Sequence, residues 1–176
     1  MMDPRRHAYP YCPICRAALA RREEGGAVRP WCAACGFVQY LNPAPAAAVI
    51  VRRGERILLT RRRYAPREGL WTLPAGFLEY DEPAAAAARR EAVEETGLEV
   101  EIEELFAVHH GILPPDRSVI LIVYRARELA GELRAGDDAQ EVGFFTLDDL
   151  PGPIAFSSHR KVLDALREEM REGHIS

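Results

Sequence analysis

Lysine is nearly missing from this chain. Of 23 basic residues only Lys161 is a lysine and the rest are arginine, which we read as genome composition. No excess of positive charge exists either. The 27 acids outnumber the bases, the net charge is −4 and the isoelectric point is near 5.8, so nothing pulls the whole molecule toward nucleic acid or an anionic membrane. Long apolar runs are absent. A stretch such as Ser118 to Tyr124 falls far short of the roughly 20 residues of a membrane span. The opening Met1-Met2-Asp3-Pro4-Arg5-Arg6 lacks the apolar core of a secretory signal, and on that reading a cytoplasmic protein is expected. What is present is globular: 48% hydrophobic and 28% charged residues over 176 positions, enough for one domain or one domain with a small appendage.

Cysteine is absent after position 35. All four cysteines fall in Cys12-Pro-Ile-Cys15 and Cys32-Ala-Ala-Cys35, sixteen residues apart. Two CxxC pairs at this separation point to a closed site of four thiolates round Zn²⁺. Two disulfides would need a secreted chain, and a redox CxxC would need a strand–helix unit that the surrounding residues do not suggest. The segment between the pairs is short and polar, with Arg21 to Gly26 expected as a hairpin turn, so metal is expected to supply the folding energy. Residues 1–41 hold six arginines against three acids, and four thiolates with one Zn²⁺ add −2, leaving about +1. That field is too weak to argue for phosphate-backbone binding, so a structural or subunit-contact role is expected.

Asn42-Pro43-Ala44-Pro45 reads as a linker, giving a zinc ribbon over 1–41 and a second domain over 42–176. Beyond it, Ala46 to Arg52 and Arg56 to Arg62 flank Gly54 as a β-hairpin, and Tyr64 to Leu70 is a loop. Pro83 to Thr96 predicts a helix stopped by Gly97. Strands are expected at Leu98 to His109, Ser118 to Arg127 and Val142 to Leu147. A final helix starts at Ser157 or Ser158 and runs to about Gly173, with an apolar stripe of Val162, Leu163, Leu166 and Met170. Several strands and two helices on a mixed sheet make an α/β or α+β sandwich.

Chemistry concentrates in Arg90-Glu91-Ala92-Val93-Glu94-Glu95-Thr96-Gly97. Glutamates at i, i+3 and i+4 share one helix face and repel one another. A divalent cation turns that repulsion into binding, and oxygen-only ligands suit Mg²⁺ or Mn²⁺. By themselves the three read more readily as a solvated acidic face, because alanine and glutamate are good helix formers. Ala84 and Ala87 continue the acidic face with methyl groups, which would leave room for a bulky substrate. Ala85, Ala92 and Thr96 lie on the flank expected to meet the sheet.

The preceding loop decides between the two. Gly76, five residues, Glu82, seven residues, Arg90-Glu91-Ala92, one residue, Glu94-Glu95, one residue, Gly97-Leu98 resembles the signature of the Nudix hydrolases at every fixed position, with Ala92 where a larger aliphatic is common. The similarity runs back through Gly69-Leu70-Trp71-Thr72-Leu73-Pro74-Ala75 and extends over residues 44–170. Together with the cysteine ribbon, Asn42-Pro43 and Ala155-Phe156-Ser157-Ser158, it resembles the zinc-ribbon subgroup that includes NADH pyrophosphatases and plastid enzymes acting on FAD and ADP-ribose.

That resemblance implies a Nudix-type α/β/α sandwich preceded by the ribbon, and hydrolysis of a nucleoside diphosphate linked to another moiety. It implies that Glu91, Glu94 and Glu95 hold Mg²⁺ with the Ala75 carbonyl, and that Glu82 and Arg90 form a salt bridge fixing the loop, with Gly76 and Gly97 structural. A carboxylate must take a proton from the attacking water, and either Glu91 or Glu141 of the loop Asp137-Asp138-Ala139-Gln140-Glu141 is expected to do so. One or two of Arg61, Arg62 and Arg63 are expected at phosphate. Phe156 and Trp71 are candidate base platforms or packing residues, and a catalytic role for His109 or His110 is not favoured.

Two cues bear on substrate. The Ser-Gln-Pro-Trp-like motif of the NADH pyrophosphatases is replaced by His109-His110-Gly111-Ile112-Leu113-Pro114-Pro115. Pro114, sixteen residues past Leu98, resembles a feature of ADP-ribose pyrophosphatases. ADP-ribose or FAD therefore ranks first, NADH and RNA caps second, nucleoside triphosphates third. A Nudix-like ligand sensor is the competing non-enzyme reading, and the intact Glu82, Glu91, Glu94 and Glu95 speak against it. A zinc-ribbon nucleic-acid module is another, and the weak ribbon charge speaks against that. A homodimer is expected, since a small ribbon must bury something.

Overall fold

The computed structural model describes residues 8–173, and the opening Met1 to Arg6 read above lies outside them. The chain divides into two compact units, Met1–Pro43 and Ala44–Ser176. In the first, β1 (Ala20–Glu24) and β2 (Ala27–Trp31) form an antiparallel hairpin. Its turn is confined to Gly25 and Gly26, both at positive φ, so Arg21 to Glu24 belong to a strand and not to the expected turn. Cys12 and Cys32 are buried, while Cys15 and Cys35 are exposed.

The second unit is built on a seven-stranded mixed sheet. Its central strand, β3 (Ala44–Arg53), starts inside the segment expected as a linker: Pro45 pairs with Ile120, and its carbonyl accepts the Leu78 N–H. Proline fits there because it lies at the strand's start, where a missing donor costs least. The run Ala46 to Val51 is buried on both faces, which is why it reads as unbroken apolar sequence. Alternate residues feed two cores. Ala46, Ala48 and Ile50 pack with Leu163 and Leu166 of the last helix, and Ala47, Val49 and Val51 pack with Ala87, Ala88 and Ala92 of the first. Each fully buried Leu or Ile here, such as Leu58, Leu59 and Leu163, contributes roughly 1.5–3 kcal/mol.

β4 (Arg56–Arg62) pairs with β3 only at Arg52↔Ile57 and Arg53↔Arg56, and then the two strands part. β3 goes on with β6 (Ala75–Phe77) and, in parallel, with β8 (Arg117–Gly131), which pairs with β7 (Leu98–Leu113). β4 goes on with β5 (Trp71–Thr72) and β9 (Ala139–Thr146). β7 and β8 run several residues past their expected ends because each supplies the other's partners. The first helix, α1 (Ala84–Thr96), takes Pro83 as its N-cap and Gly97 as a left-handed C-cap at φ 72°. A side chain on Gly97 would meet the Glu132 carbonyl oxygen at 2.5 Å. Ala87, expected beside a substrate, is fully buried in the core. The arc of α1 that faces the sheet runs through Ala87, Ala88, Ala92, Glu95 and Thr96, so it takes Glu95 inward as well. The last helix is α2 (Ser157–Gly173). Among the described residues no helix is long and apolar enough to cross a membrane.

Candidate active site

Where β3 and β4 part, a cavity of about 370 Å³ opens in the second unit. One wall is the acidic side of α1 with the β6 turn: Gly76, Glu91, Glu94 and Glu95, joined by Asp137 and Asp138. The other carries Arg62, Phe156, Ser157, Ser158 and His159.

Arg90 organises the acidic wall. Its Nε and Nη2 donate to the two carboxylate oxygens of Glu82, both at 2.9 Å, the bidentate pairing that a guanidinium favours. Nη2 also reaches the Phe77 carbonyl at 3.0 Å, which ties the loop between β6 and α1 to the helix. Its remaining arm, Nη1, donates to Glu91 Oε1 at 2.7 Å and to Glu94 Oε2 at 2.9 Å. These hydrogen bonds hold the Glu82 carboxyl below its ordinary range. Gly76 makes room for Glu91, since a Cβ there would lie 1.8 Å from Glu91 Oε1.

Glu95 is 5% exposed. Its Oε2 accepts the Ala75 N–H and the Thr60 hydroxyl, each at 3.2 Å. Burial, and next the charge of Glu91, push its carboxyl up to about 8, against the opposing effect of those two donors. Burial is also the main cause that raises Glu91, with Glu94 and Asp137 adding to it. The atoms this wall could offer a metal, the carboxylates and the Ala75 carbonyl, are all oxygens. That set fits a hard divalent cation. The three carboxylates do not converge on one point, because Arg90 engages two of them and Glu95 turns toward β4. Among the described residues only the four cysteine sulfurs gather their ligand atoms within 4.8 Å of one another. Cys12 to Cys35 is 3.5 Å and Cys15 to Cys32 is 3.4 Å, close to the edge of about 3.8 Å for a tetrahedron of thiolates round one ion.

Several expected residues lie elsewhere. Trp71 is 4% exposed and packs edge-on against Phe145 at 4.9 Å, so it belongs to the core and is not a base platform. Glu141 stands opposite Arg61 on the β4–β9 ladder and pairs with its Nη1 at 3.3 Å, away from the cavity; its neighbours Asp137 and Asp138 line the cavity instead. Of the three consecutive arginines, Arg62 alone lines the cavity. Arg61 Nε donates to the Gly69 carbonyl, and Arg63 Nη2 to that of Ala139. Phe156 lines the cavity with the Arg62 guanidinium 5.2 Å from its ring centre. His109 and His110 do not line it, and His110 Nε2 lies 2.9 Å from the Ser118 hydroxyl.

His159 was not singled out by the sequence reading. It is 4% exposed, and burial followed by the charge of Arg62 pushes it down to about 3. The signal lay in its spacing: 159, 162, 163 and 166 form one helical stripe, so His159 continues the apolar face of α2.

Known proteins resemble this chain over most of its length. The profile of the NUDIX domain matches residues 42–166. An ADP-ribose pyrophosphatase of Methanocaldococcus jannaschii is 40% identical over 132 residues, covering 73% of this chain and 76% of its own. The NAD-capped RNA hydrolase NudC of Chromobacterium violaceum is 32% identical over 163 residues. That match takes in 90% of this chain and 59% of the longer relative. Among solved structures, a NUDIX hydrolase from Nitrosomonas europaea superposes with a TM-score of 0.79 at 33% identity, over 96% of this chain and 94% of the other.

Proposed function

The chain belongs to the Nudix hydrolase family, and from that premise we propose that it cleaves the diphosphate bridge of a nucleoside diphosphate joined to a second moiety, with ADP-ribose favoured. The observation that carries this is a single cavity with clustered carboxylates on one wall and Arg62 with Phe156 on the other. Such a cavity suits a ligand with a metal-seeking diphosphate in the middle and a ring at one end. The 40% identity to a protein named an ADP-ribose pyrophosphatase supports the choice of substrate.

Glu91, Glu94 and Glu95, with the Ala75 carbonyl, would hold Mg²⁺ or Mn²⁺. A divalent cation bound there neutralises phosphate charge and lowers the pKa of a coordinated water. The chain's own part is positional. Arg90 and Glu82 brace the loop against α1, Gly76 admits the Glu91 carboxylate, and Arg62 meets phosphate charge from the far wall. The base is a cavity carboxylate, and Glu91, already raised by burial, is our assignment. Water's oxygen ends on one phosphorus and the bridging oxygen leaves on the other, so ADP-ribose gives AMP and ribose 5-phosphate. In the first unit, Cys12, Cys15, Cys32 and Cys35 would hold a structural Zn²⁺, and we expect a homodimer in sedimentation.

The test is product release from ADP-ribose, FAD, NADH, NAD-capped RNA and a nucleoside triphosphate, with Mg²⁺ and with EDTA. AMP from ADP-ribose at the highest kcat/KM, lost with EDTA, is expected. Preference for the capped RNA would move the assignment to the second relative's chemistry, and no turnover of any of them would leave a binding domain.

A further inference from the structure

The one buried imidazole of the cavity wall has no part in the chemistry above. His159 Nδ1 accepts the Leu73 N–H at 3.3 Å and lies 2.8 Å from the Thr72 hydroxyl. A backbone N–H only donates, so Nδ1 carries the lone pair and the ring proton sits on Nε2. Among the described residues no buried side-chain nitrogen or oxygen lacks a partner. Among the described residues Nε2 meets no hydrogen-bond partner, so it is not sealed in, and the ring itself lines the cavity.

The ring's position is as defined as its tautomer. Thr60 and Thr72 are directly opposite on the β4–β5 ladder. Paired residues point to the same face of a sheet, with Cβ atoms about 4.5–5.5 Å apart. Thr60 holds Glu95 and Thr72 holds His159, so one rung anchors both a candidate metal ligand and the imidazole, and both line the cavity. Arg62 shares this corner, stacked over Phe156, whose ring centre is 5.5 Å from that of His159. The guanidinium and Nε2–H both donate and neither accepts. Their common ligand is rich in acceptors and negative.

We propose that His159 binds substrate directly, its Nε2–H donating to a phosphoryl oxygen of the diphosphate on the side away from the acidic wall, with Arg62 as its partner. The proposal rests on the diphosphate-hydrolase reading and adds the residue that grips the bridge from α2. A ring kept neutral here supplies a donor without a second cation that would compete with metal for Glu95.

Two substitutions separate this from a purely structural role. H159N keeps an acceptor where Nδ1 lies and loses the donor into the cavity, while H159Q places an amide N–H near Nε2 and loses the acceptor. With ADP-ribose and Mg²⁺, H159N should raise KM about tenfold with kcat within about threefold, and H159Q should restore most of the loss. Wild-type KM in H159N, or a folded H159Q no better than H159N, overturns the proposal. A long-range ¹H–¹⁵N histidine spectrum of the wild type should show the Nε2–H tautomer from pH 5 to 8 and a downfield shift of that proton with Mg²⁺ and inorganic pyrophosphate. An Nδ1–H tautomer, a charged ring or an unmoved resonance overturns it. If the wild type releases no AMP from ADP-ribose, the choice of substrate fails alone, and the pyrophosphate shift still decides the role of His159.

Discussion

The molecule holds two clusters of metal-seeking side chains, and they are assembled in opposite ways. The four thiols of the first unit already meet at a point, on two tight CxxC turns beside a hairpin of two five-residue strands with little apolar interior. The three glutamates of α1 are set on a helix that closes a packed core, where Arg90 Nη1 bridges Glu91 and Glu94 while Glu95 turns toward Thr60 and Ala75. In the ribbon the ligands are most of the structure, so geometry and stability are the same thing. In the second unit the fold is secured by the two cores, so the acids are free to be arranged for chemistry and not for comfort.

Taking the metals away should expose this difference most strongly. A high-affinity chelator that strips the thiols, or Cys12→Ser, should unfold the ribbon, since structural zinc supplies on the order of 10 kcal/mol to such sites. Limited proteolysis should then cut within residues 8–43 and leave the second unit intact; simultaneous loss of both units would break the comparison. On the acidic side, Glu95→Gln should cut kcat on the order of 10³-fold, equivalent to about 4 kcal/mol of transition-state stabilisation. The same variant should melt higher than wild type in EDTA. Glu95 is raised in the folded state, so its contribution to stability falls as pH climbs from about 4.5 toward 8, and the neutral amide escapes that loss. A lower Tm at pH 7.5 would contradict it.

A smaller effect is expected from Gly76→Ala. The new methyl would fall on the Glu91 carboxylate, so activity should drop roughly 10- to 100-fold while Tm moves by only about 2–4 °C, as for a change near 1 kcal/mol. Acid should act through the other wall. His159 is held neutral, so the stability it confers is complete above about 6.5 and is lost as pH falls toward 3. It should contribute a slope of about 1.4 kcal/mol per pH unit to urea unfolding over that window, absent in H159N. Arg62 is the charged group that strengthens the effect. Glu141→Gln should change kcat less than twofold, because the side chain pairs with Arg61 outside the cavity; a large loss would return the proton-accepting role to it.

What was legible in the sequence follows from how local its cause is. The helix of Ala84–Thr96 carries its own stop in Gly97, whereas the pairing of Arg90 with Glu82 was legible only through the family resemblance. The cysteine spacing is local in the way that stop is, and so names a cluster. β5 and β6 were not legible, because two- and three-residue strands exist only through their partners on β4 and β3. Trp71 was ambiguous for that reason too, since its side depends on the register of β5. Glu141 was expected as a base ahead of Asp137 and Asp138 of the same loop, and the ladder with β4 sets it opposite Arg61 instead. His159 gave only a polar letter on an apolar stripe, and its meaning depends on Thr72 and Leu73, more than 80 positions away.

The pairing of Thr60 with Thr72 has a mechanical corollary. β5 is only two residues long, and a slip by one position would carry Trp71 out of the oil and thrust a threonine into it. The fold therefore polices its own reactive centre: the hydrophobic penalty for misplacing one indole guards the alignment of a carboxylate and an imidazole held by the neighbouring rung.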